Sequence, residues 1–384
     1  MATLLLVAAG RNGRRTIELA RGLGHRTVTV DLDHATGGEE ILELARREAV
    51  NGVLAISAGP AVPVAAAVAE DLGLPGIGRE TAHLLAHRVA LRRRLAEHGV
   101  PQPDFAAVRT LLEGRAAIQA VGLPAVLRPA DSGGQRGVFR LQEPGDLDTH
   151  LHAALAESPT QEAIVERYHE GLPVGGLAVV RSGEATVLAI CDRLNPPGIG
   201  VCWINVYPTT LFGDALEEVE LLVVRSVHAL GLQDGIVIVL ALASEDCIRV
   251  LEVSSGMPDD ELAELARRAI GVDLVEAAIR QALGEPTPDE LIRPQFERPL
   301  AIRFLTAEPG PLPAGRVRRM GSLDKVLAFP GVVGADTDLA VGETINPVRL
   351  DGDRHGYVIA TGETNVEALQ RAEAAASLVD VEVW

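Results

Sequence analysis

A chain of 384 residues with 47% hydrophobic and 23% charged residues is long enough for two or three domains and apolar enough to bury a sizeable core. Aromatics make up only 3%, so that core must be built from Val, Leu, Ile and Ala. The net charge of −18 argues against a nucleic-acid or anionic-membrane surface, which needs clustered cations, and neither kind of partner is expected.

The opening run "TLLLVAAG" is too short for a signal h-region or a membrane span and reads as a first buried strand. "RRTIELARGLG" follows as a helix ending on Gly24, then "RTVTVDLD" as a strand and "EEILELARREAV" as a helix. "NGVLAIS" is a third strand, and "PVAAAVAEDLGLPG" a helix stopped by Gly73 and Pro75. This alternation predicts a parallel sheet covered on both faces. Gly10 and Gly13 at the first turn, with Asp31 and Asp33 after the second strand, are only a partial dinucleotide fingerprint, because the full G-x-G-x-x-G is absent. The cysteines, Cys191, Cys202 and Cys247, are scattered and odd in number; they suggest neither a disulfide framework nor a zinc site, and a reducing cytoplasm is expected. Lys325 is the only lysine.

From about residue 80 the pattern changes. "TAHLLAHRVALRRRLAEHGVPQPDF" reads as a basic helical pair closed by Gly99 and an extended Pro101/Pro103 segment, and "RTLLEGRAAIQAVG" as another helix. "LPAVLRPADSGGQRGVFRL" reads as strand, glycine loop, strand. Ser132, Gly133, Gly134 and Gly137 are small, so backbone N–H groups there can approach an anion closely. Arg128 and Arg136 bracket the loop with positive charge, although the spacing is not that of a P-loop. Further on, "RVLEVSSG" ends an apolar strand on one carboxylate, Glu252. A solvated acid also commonly ends a strand.

Taken in order, "HRVALRRRLAEHGVPQPDF", "LPAVLRPADSGGQRGV", "IVERYHEGLPVGGLAVV", "INVYPTTL", "GLQDGIVIVLALA" and "RVLEVSSG" resemble the ATP-grasp superfamily, within it the carboxylate–amine ligases. The tail, "LAIRFLTAEPGPL", "AFPGVVGADTDLAVGETI" and "DRHGYVIATGETNVEALQRAEAA", resembles that family's C-terminal subdomain. The resemblance implies an α/β fold, with an N-terminal Rossmann-like sheet followed by α+β ATP-grasp subdomains. Four regions are expected: residues 1–80 Rossmann-like, 81–122 a helical linker, 123–185 the small subdomain with the glycine loop, and 186–384 the large subdomain with the C-terminal part. It also implies ATP and Mg²⁺ as cofactors and an acyl phosphate formed by attack of a substrate carboxylate. In such chemistry positioning and charge neutralisation carry the load.

Carried over residue by residue, the resemblance places Arg88 and Arg128 where the family has phosphate lysines. It places Ser132, Gly133, Gly134, Arg136 and Gly137 in the glycine loop, and Glu166 and Tyr168 at the hinge that receives adenine. Glu252 falls at a metal position, and Arg128, Arg136 and Glu252 are the expected catalytic groups. The departures are as informative. Pro173 stands for the ribose glutamate and Leu240 for the other metal glutamate, while Ser254 and Gly256 stand for the asparagine and arginine of the usual E-x-N-x-R motif. Arginine still contacts phosphate, as a planar fork rather than an ammonium. Leucine, proline and glycine restore nothing.

Other groups read as structural. His150 and His152 fall on different helical faces, Ser254 and Ser255 lack an adjacent base or a G-x-S-x-G context, and Asp259, Asp260 and Glu261 suit a helix N-terminus. Two functions follow: an active ATP-dependent ligase making an amide or peptide bond, or a homologue with impaired or altered chemistry and weakened ATP binding. The second would bind a small carboxylate or amino acid, as a homodimer or paired with an active ligase. Losing two of three metal ligands favours it.

Overall fold

The computed structural model describes residues 1–8, 13–32, 37–56, 59–257 and 260–384. Gly10, Asp33 and Asp259 of the sequence reading lie outside the described residues, as does the side chain of Asp260.

The N-terminal strands β1 (Thr3–Val7), β2 (Arg26–Val30) and β3 (Gly52–Ala55) form a parallel sheet in the order β2-β1-β3. Helices Gly13–Gly22 and Gly38–Arg47 connect the strands and Ala61–Asp71 follows. The continuous apolar run of β1 has its expected cause: both faces are buried. Leu5 and Val7 pack with Ile41, Ala45 and Ala65 of this unit. Leu4 and Leu6 point the other way, into a core shared with Leu177, Ile279 and Ile302. This is the period-two alternation of a strand used to join two bodies.

Helices Arg79–Ala86 and Arg88–Glu97 lead to an antiparallel sheet. Its strands are β4 (Phe105–Val108), β5 (Ala125–Pro129), β6 (Phe139–Leu141) and β7 (Ala163–Arg167), in the order β4-β7-β5-β6. Helices Leu111–Val121 and Pro144–Ala156 cover one face. Thus the segment read as a helical linker also supplies an edge strand, Phe105–Val108.

The rest of the chain gives β8 (Leu172–Arg181), β9 (Glu184–Leu194), β10 (Ile204–Tyr207), β11 (Gly235–Ala243), β12 (Ile248–Ser255) and β13 (Leu300–Phe304). After them come β14 (Gly315–Met320), β15 (Val332–Thr337), β16 (Thr344–Ile345), β17 (Gly356–Thr361) and β18 (Val381–Val383). Eight of these build one antiparallel sheet, β12-β11-β8-β9-β10-β13-β17-β15, and three a small one, β16-β14-β18. β8 belongs to the eight-stranded sheet, so the small sheet closes with β7 and position 185 falls inside the β8–β9 hairpin. Helix Asp214–Leu230 packs Val219, Leu222, Val223 and Val227 onto the large sheet. Of the acidic run, Asp260 and Glu261 fall in the first turn of helix Asp260–Leu265. Among the described residues no helix is long and apolar enough to cross a membrane.

Candidate functional site

Between the small and large sheets lies a cleft of about 1530 Å³. Its walls bring together Arg128, Gly137, Glu166, Tyr168, Pro173, Leu240, Glu252, Ser254 and Gly256, residues far apart in sequence.

Arg128, on β5, sits at the centre. Its NH2 donates to Glu252 Oε2 at 3.3 Å and its NH1 to Glu166 Oε2 at 3.4 Å. Burial opposes the charge of Arg128, but these two carboxylates more than offset it and hold the guanidinium above its ordinary pKa. Glu252, on β12, keeps 45% of its side chain exposed to the cleft. Desolvation works against its charge; Arg88, then Arg128 and Arg193, hold its carboxyl below the usual range. Arg88 donates through NH1 to Pro129 O at 3.1 Å and to Ser132 O. Burial and the neighbouring Arg128 lower its pKa to about 10. Arg88 Nε, Arg128 Nε and Ser132 Oγ are buried donors without a protein partner. Three such donors beneath a glycine loop suit an anion, because a buried polar group without a partner is costly.

The glycine loop follows β5. Gly134 and Gly137 have φ of +69° and +65°, a region open to glycine at little cost, and a Cβ at Gly137 would lie 2.9 Å from Pro129 Cγ. Gly133 and Gly134 are exposed. Gln135 reaches across to Gly200, and Gly134 O accepts from Asp351 N at 3.3 Å. Arg136 does not join the cleft, contrary to the expectation of a catalytic group. It is 58% exposed and pairs with Glu157 at 3.6 Å, because the two left-handed residues on either side of it turn the chain outward there.

At the hinge, Tyr168 lines the cleft beneath the Arg140 guanidinium, 3.9 Å from the ring centroid. The Glu166 carboxylate is committed elsewhere. It is 4% exposed and accepts from Arg92 Nε at 2.6 Å.

Mg²⁺ needs several hard oxygen ligands in near-octahedral geometry. Leu240 faces Glu252 directly in the β11–β12 register, so the carboxylate expected there is replaced by a hydrocarbon. Arg128 already occupies one oxygen of Glu252. No group of three or more His, Cys, Asp or Glu poised to hold a metal occurs among the described residues. Glu252, expected as a metal ligand, thus lacks the facing carboxylate that the resemblance implies, whereas the arginines and the unpartnered donors beside the loop suit phosphate. Ser255 Oγ donates to Ile236 O at 2.9 Å, and His150 stacks on Phe139.

Two arginines at or behind the cleft escaped the sequence reading. Arg92 is fully buried and binds Glu166; its spacing of four residues from Arg88 on one helix was the available signal. Arg193, on β9, lines the cleft with its stem against Gly175, where a Cβ would meet its Cδ at 3.3 Å. Among the described residues its guanidinium makes no ion pair or side-chain hydrogen bond. No motif marks it.

Comparisons with known proteins bear on the fold and the family. The family model described as the carbamoyl-phosphate synthase L chain ATP-binding domain matches residues 87–290, and that described as L-amino acid ligase C-terminal domain 2 matches residues 303–383. A Sinorhizobium fredii protein named "Uncharacterized protein y4rH" is 29% identical over 79% of this chain and 63% of its own length. The carbamoyl phosphate synthase large chain of Pseudothermotoga lettingae is 23% identical over 88% of this chain. The chain spans only 30% of that enzyme's length. Among solved structures, the L-amino acid ligase of Bacillus licheniformis superposes with a TM-score of 0.86 at 17% identity, covering 100% of this chain and 99% of that one. Phosphoribosylglycinamide synthetase from Anaerococcus prevotii gives 0.77 at 15%, covering 100% of both. At these identities the structural likeness speaks for the fold. The family models go further, one of them spanning more than half the sequence, and the chain belongs to the ATP-grasp carboxylate–amine ligases.

Proposed function

We propose that this chain is an ATP-grasp carboxylate–amine ligase homologue with altered or impaired ligase chemistry. Its cleft binds an anionic small molecule, a nucleotide or a small carboxylate or amino acid, with guanidinium groups where relatives' sites use a metal ion. The observation that carries the reading is the pairing of Leu240 opposite Glu252 with the Arg128 clamp on Glu252. Around that pair Arg88, Arg92, Arg128 and Arg193 stand against Glu166 and Glu252. The heart of the site is thus locally positive, within a cleft whose lining carries six arginines and six carboxylates. Such a site attracts anions without a divalent ion. The Arg193 guanidinium feels Glu252 and Asp351 at a distance but makes no hydrogen bond among the described residues, which suits it to hold a carboxylate or phosphate as the cation that Gly256 lacks. ATP binding is weakened in this reading, and the biological role is ligand binding or support of an active ligase, as a homodimer or a mixed pair.

A second reading, an active ligase forming an acyl phosphate, is favoured by Asp351 and Glu261, carboxylates that line the same cleft. One experiment separates them. Nucleotide binding is measured by calorimetry in Mg²⁺ and in EDTA, alongside phosphate release with pools of amino acids and small carboxylates. The first reading expects equal, modest affinity in both buffers, weakened by Arg193→Gln, and no acid-dependent release. Release stimulated by one acid, requiring Mg²⁺ and abolished by Glu252→Gln, establishes the second.

A further inference from the structure

Arg92 connects two sheets through one guanidinium. Nε donates to Glu166 Oε1 at 2.6 Å, on β7 of the small sheet. NH1 donates to Val250 O at 2.9 Å and NH2 to Leu251 O at 2.8 Å, both on β12 of the large sheet. NH1 also lies 3.5 Å from Gln102 Oε1, and Gln102 Nε2 donates back to Arg92 O at 2.7 Å. The side chain is 2% exposed.

The two carbonyls it holds have no strand to pair with. β12 is the edge of the eight-stranded sheet, and an edge leaves one row of backbone groups unsatisfied. The β11–β12 register also slips at this point. Leu240 faces Glu252 but Ala241 faces Val250, so Leu251 is the extra residue of a bulge. A bulge breaks the alternation of a strand and re-aims the side chains around it. Here Val250 and Val253 remain in the core while Leu251 and Glu252, neighbours in sequence, both line the cleft. Val250 N is satisfied from the same side, by Pro101 O at 2.9 Å.

These contacts close a ring. Leu251 O binds Arg92, Arg92 binds Glu166, Glu166 binds Arg128, and Arg128 binds Glu252, the residue after Leu251. We propose that Arg92 is a positioning residue: it locks the small sheet to the bulge of the large sheet and so fixes how Arg128 and Glu252 meet across the cleft. A planar fork spreads donors over three nitrogens and so reaches one carboxylate and two carbonyls at once, whereas the three donors of a lysine all sit on one nitrogen.

The test reads the lock directly, without ligand, on the full chain. Spin labels are placed at Leu112→Cys, on the helix covering the small sheet, and Leu221→Cys, on the helix covering the large one; both sites are exposed. The background carries Cys247→Ser, since Cys191 and Cys202 are buried. Electron–electron double resonance then gives the distribution of distances between the two sheets. The native arginine should give one narrow distribution, and Arg92→Met and Arg92→Lys a broadened or displaced one. A residue that contributes only to stability lowers the melting temperature and leaves the native-state distance alone. An unchanged narrow distribution in folded Arg92→Met overturns the proposal. Should that variant not fold, Glu166→Leu removes both acceptors at similar size and so cuts the same link, and an unchanged distribution there overturns it equally. Failure of nucleotide to bind would count against the functional proposal alone.

Discussion

Replacing Leu240 with glutamate tests whether positions 240 and 252 face one site. The two are directly opposed on neighbouring antiparallel strands, which puts their side chains about 5 Å apart. Two carboxylates at about 5 Å in a medium of effective dielectric about 20 repel by about 3 kcal/mol. Arg128 and the open side of the cleft reduce this, so about 1–2 kcal/mol of destabilisation is expected for Leu240→Glu without metal. For a chain of 384 residues the average unfolding entropy makes each kcal/mol worth about 1 °C. Leu240 already lines the cleft rather than the core, so cavity loss adds little. The same pair of carboxylates should attract Mg²⁺, and at about ten times its dissociation constant the ion returns about 1.4 kcal/mol. Thermal unfolding with and without MgCl₂ is the assay. The parent should be indifferent to Mg²⁺, and the variant should melt lower in EDTA and recover in Mg²⁺. A variant as stable as the parent and equally indifferent to Mg²⁺ refutes the assignment of the two positions to one site.

Two further outcomes follow from the charge arrangement. Glu264 joins Arg15, Arg267 and Arg268, and despite desolvation Arg267 and Arg268 hold its carboxyl at about 2; a depressed carboxyl contributes stability above its unfolded value that is lost as pH falls towards 2. Glu264→Gln should therefore cost about 1 kcal/mol near neutrality, after discounting for solvent, and flatten the acid side of a urea-midpoint profile between about pH 4.5 and 2; parallel profiles would refute it. Burial pushes the Cys191 thiol up to about 12, so in the native protein at mildly alkaline pH iodoacetamide should modify the partly exposed Cys247 first and Cys191 only in denaturant, and rapid native labelling of Cys191 would contradict the packing.

The legible parts of the molecule are those in which neighbours in sequence suffice. Leu4 to Val7 announce a doubly covered strand because each face of β1 meets its own core. The ordered segments announce the fold, and Glu252, Leu240 and Pro173 all reach the cleft from positions that a motif marks. What the sequence hides depends on three dimensions. Arg88, Arg92, Arg93 and Arg94 look alike in "RVALRRRLAE", yet only Arg92 is fully buried, because only it meets β7 and the bulge of β12. Arg193 lies in an unremarkable strand, and its place beside Glu252 and Asp351 appears only once the chain is folded. Arg136 misled because loop composition does not reveal which way a left-handed residue turns its neighbour.

The glycine loop belongs by sequence to the small sheet, yet it is fastened elsewhere at two points. Its Gln135 rests on Gly200 and its Gly134 carbonyl accepts from Asp351 N, residues that follow β9 and β16. The loop is thus shared between segments far apart along the chain. Each tie is a single contact, so a loop held this lightly resists displacement little.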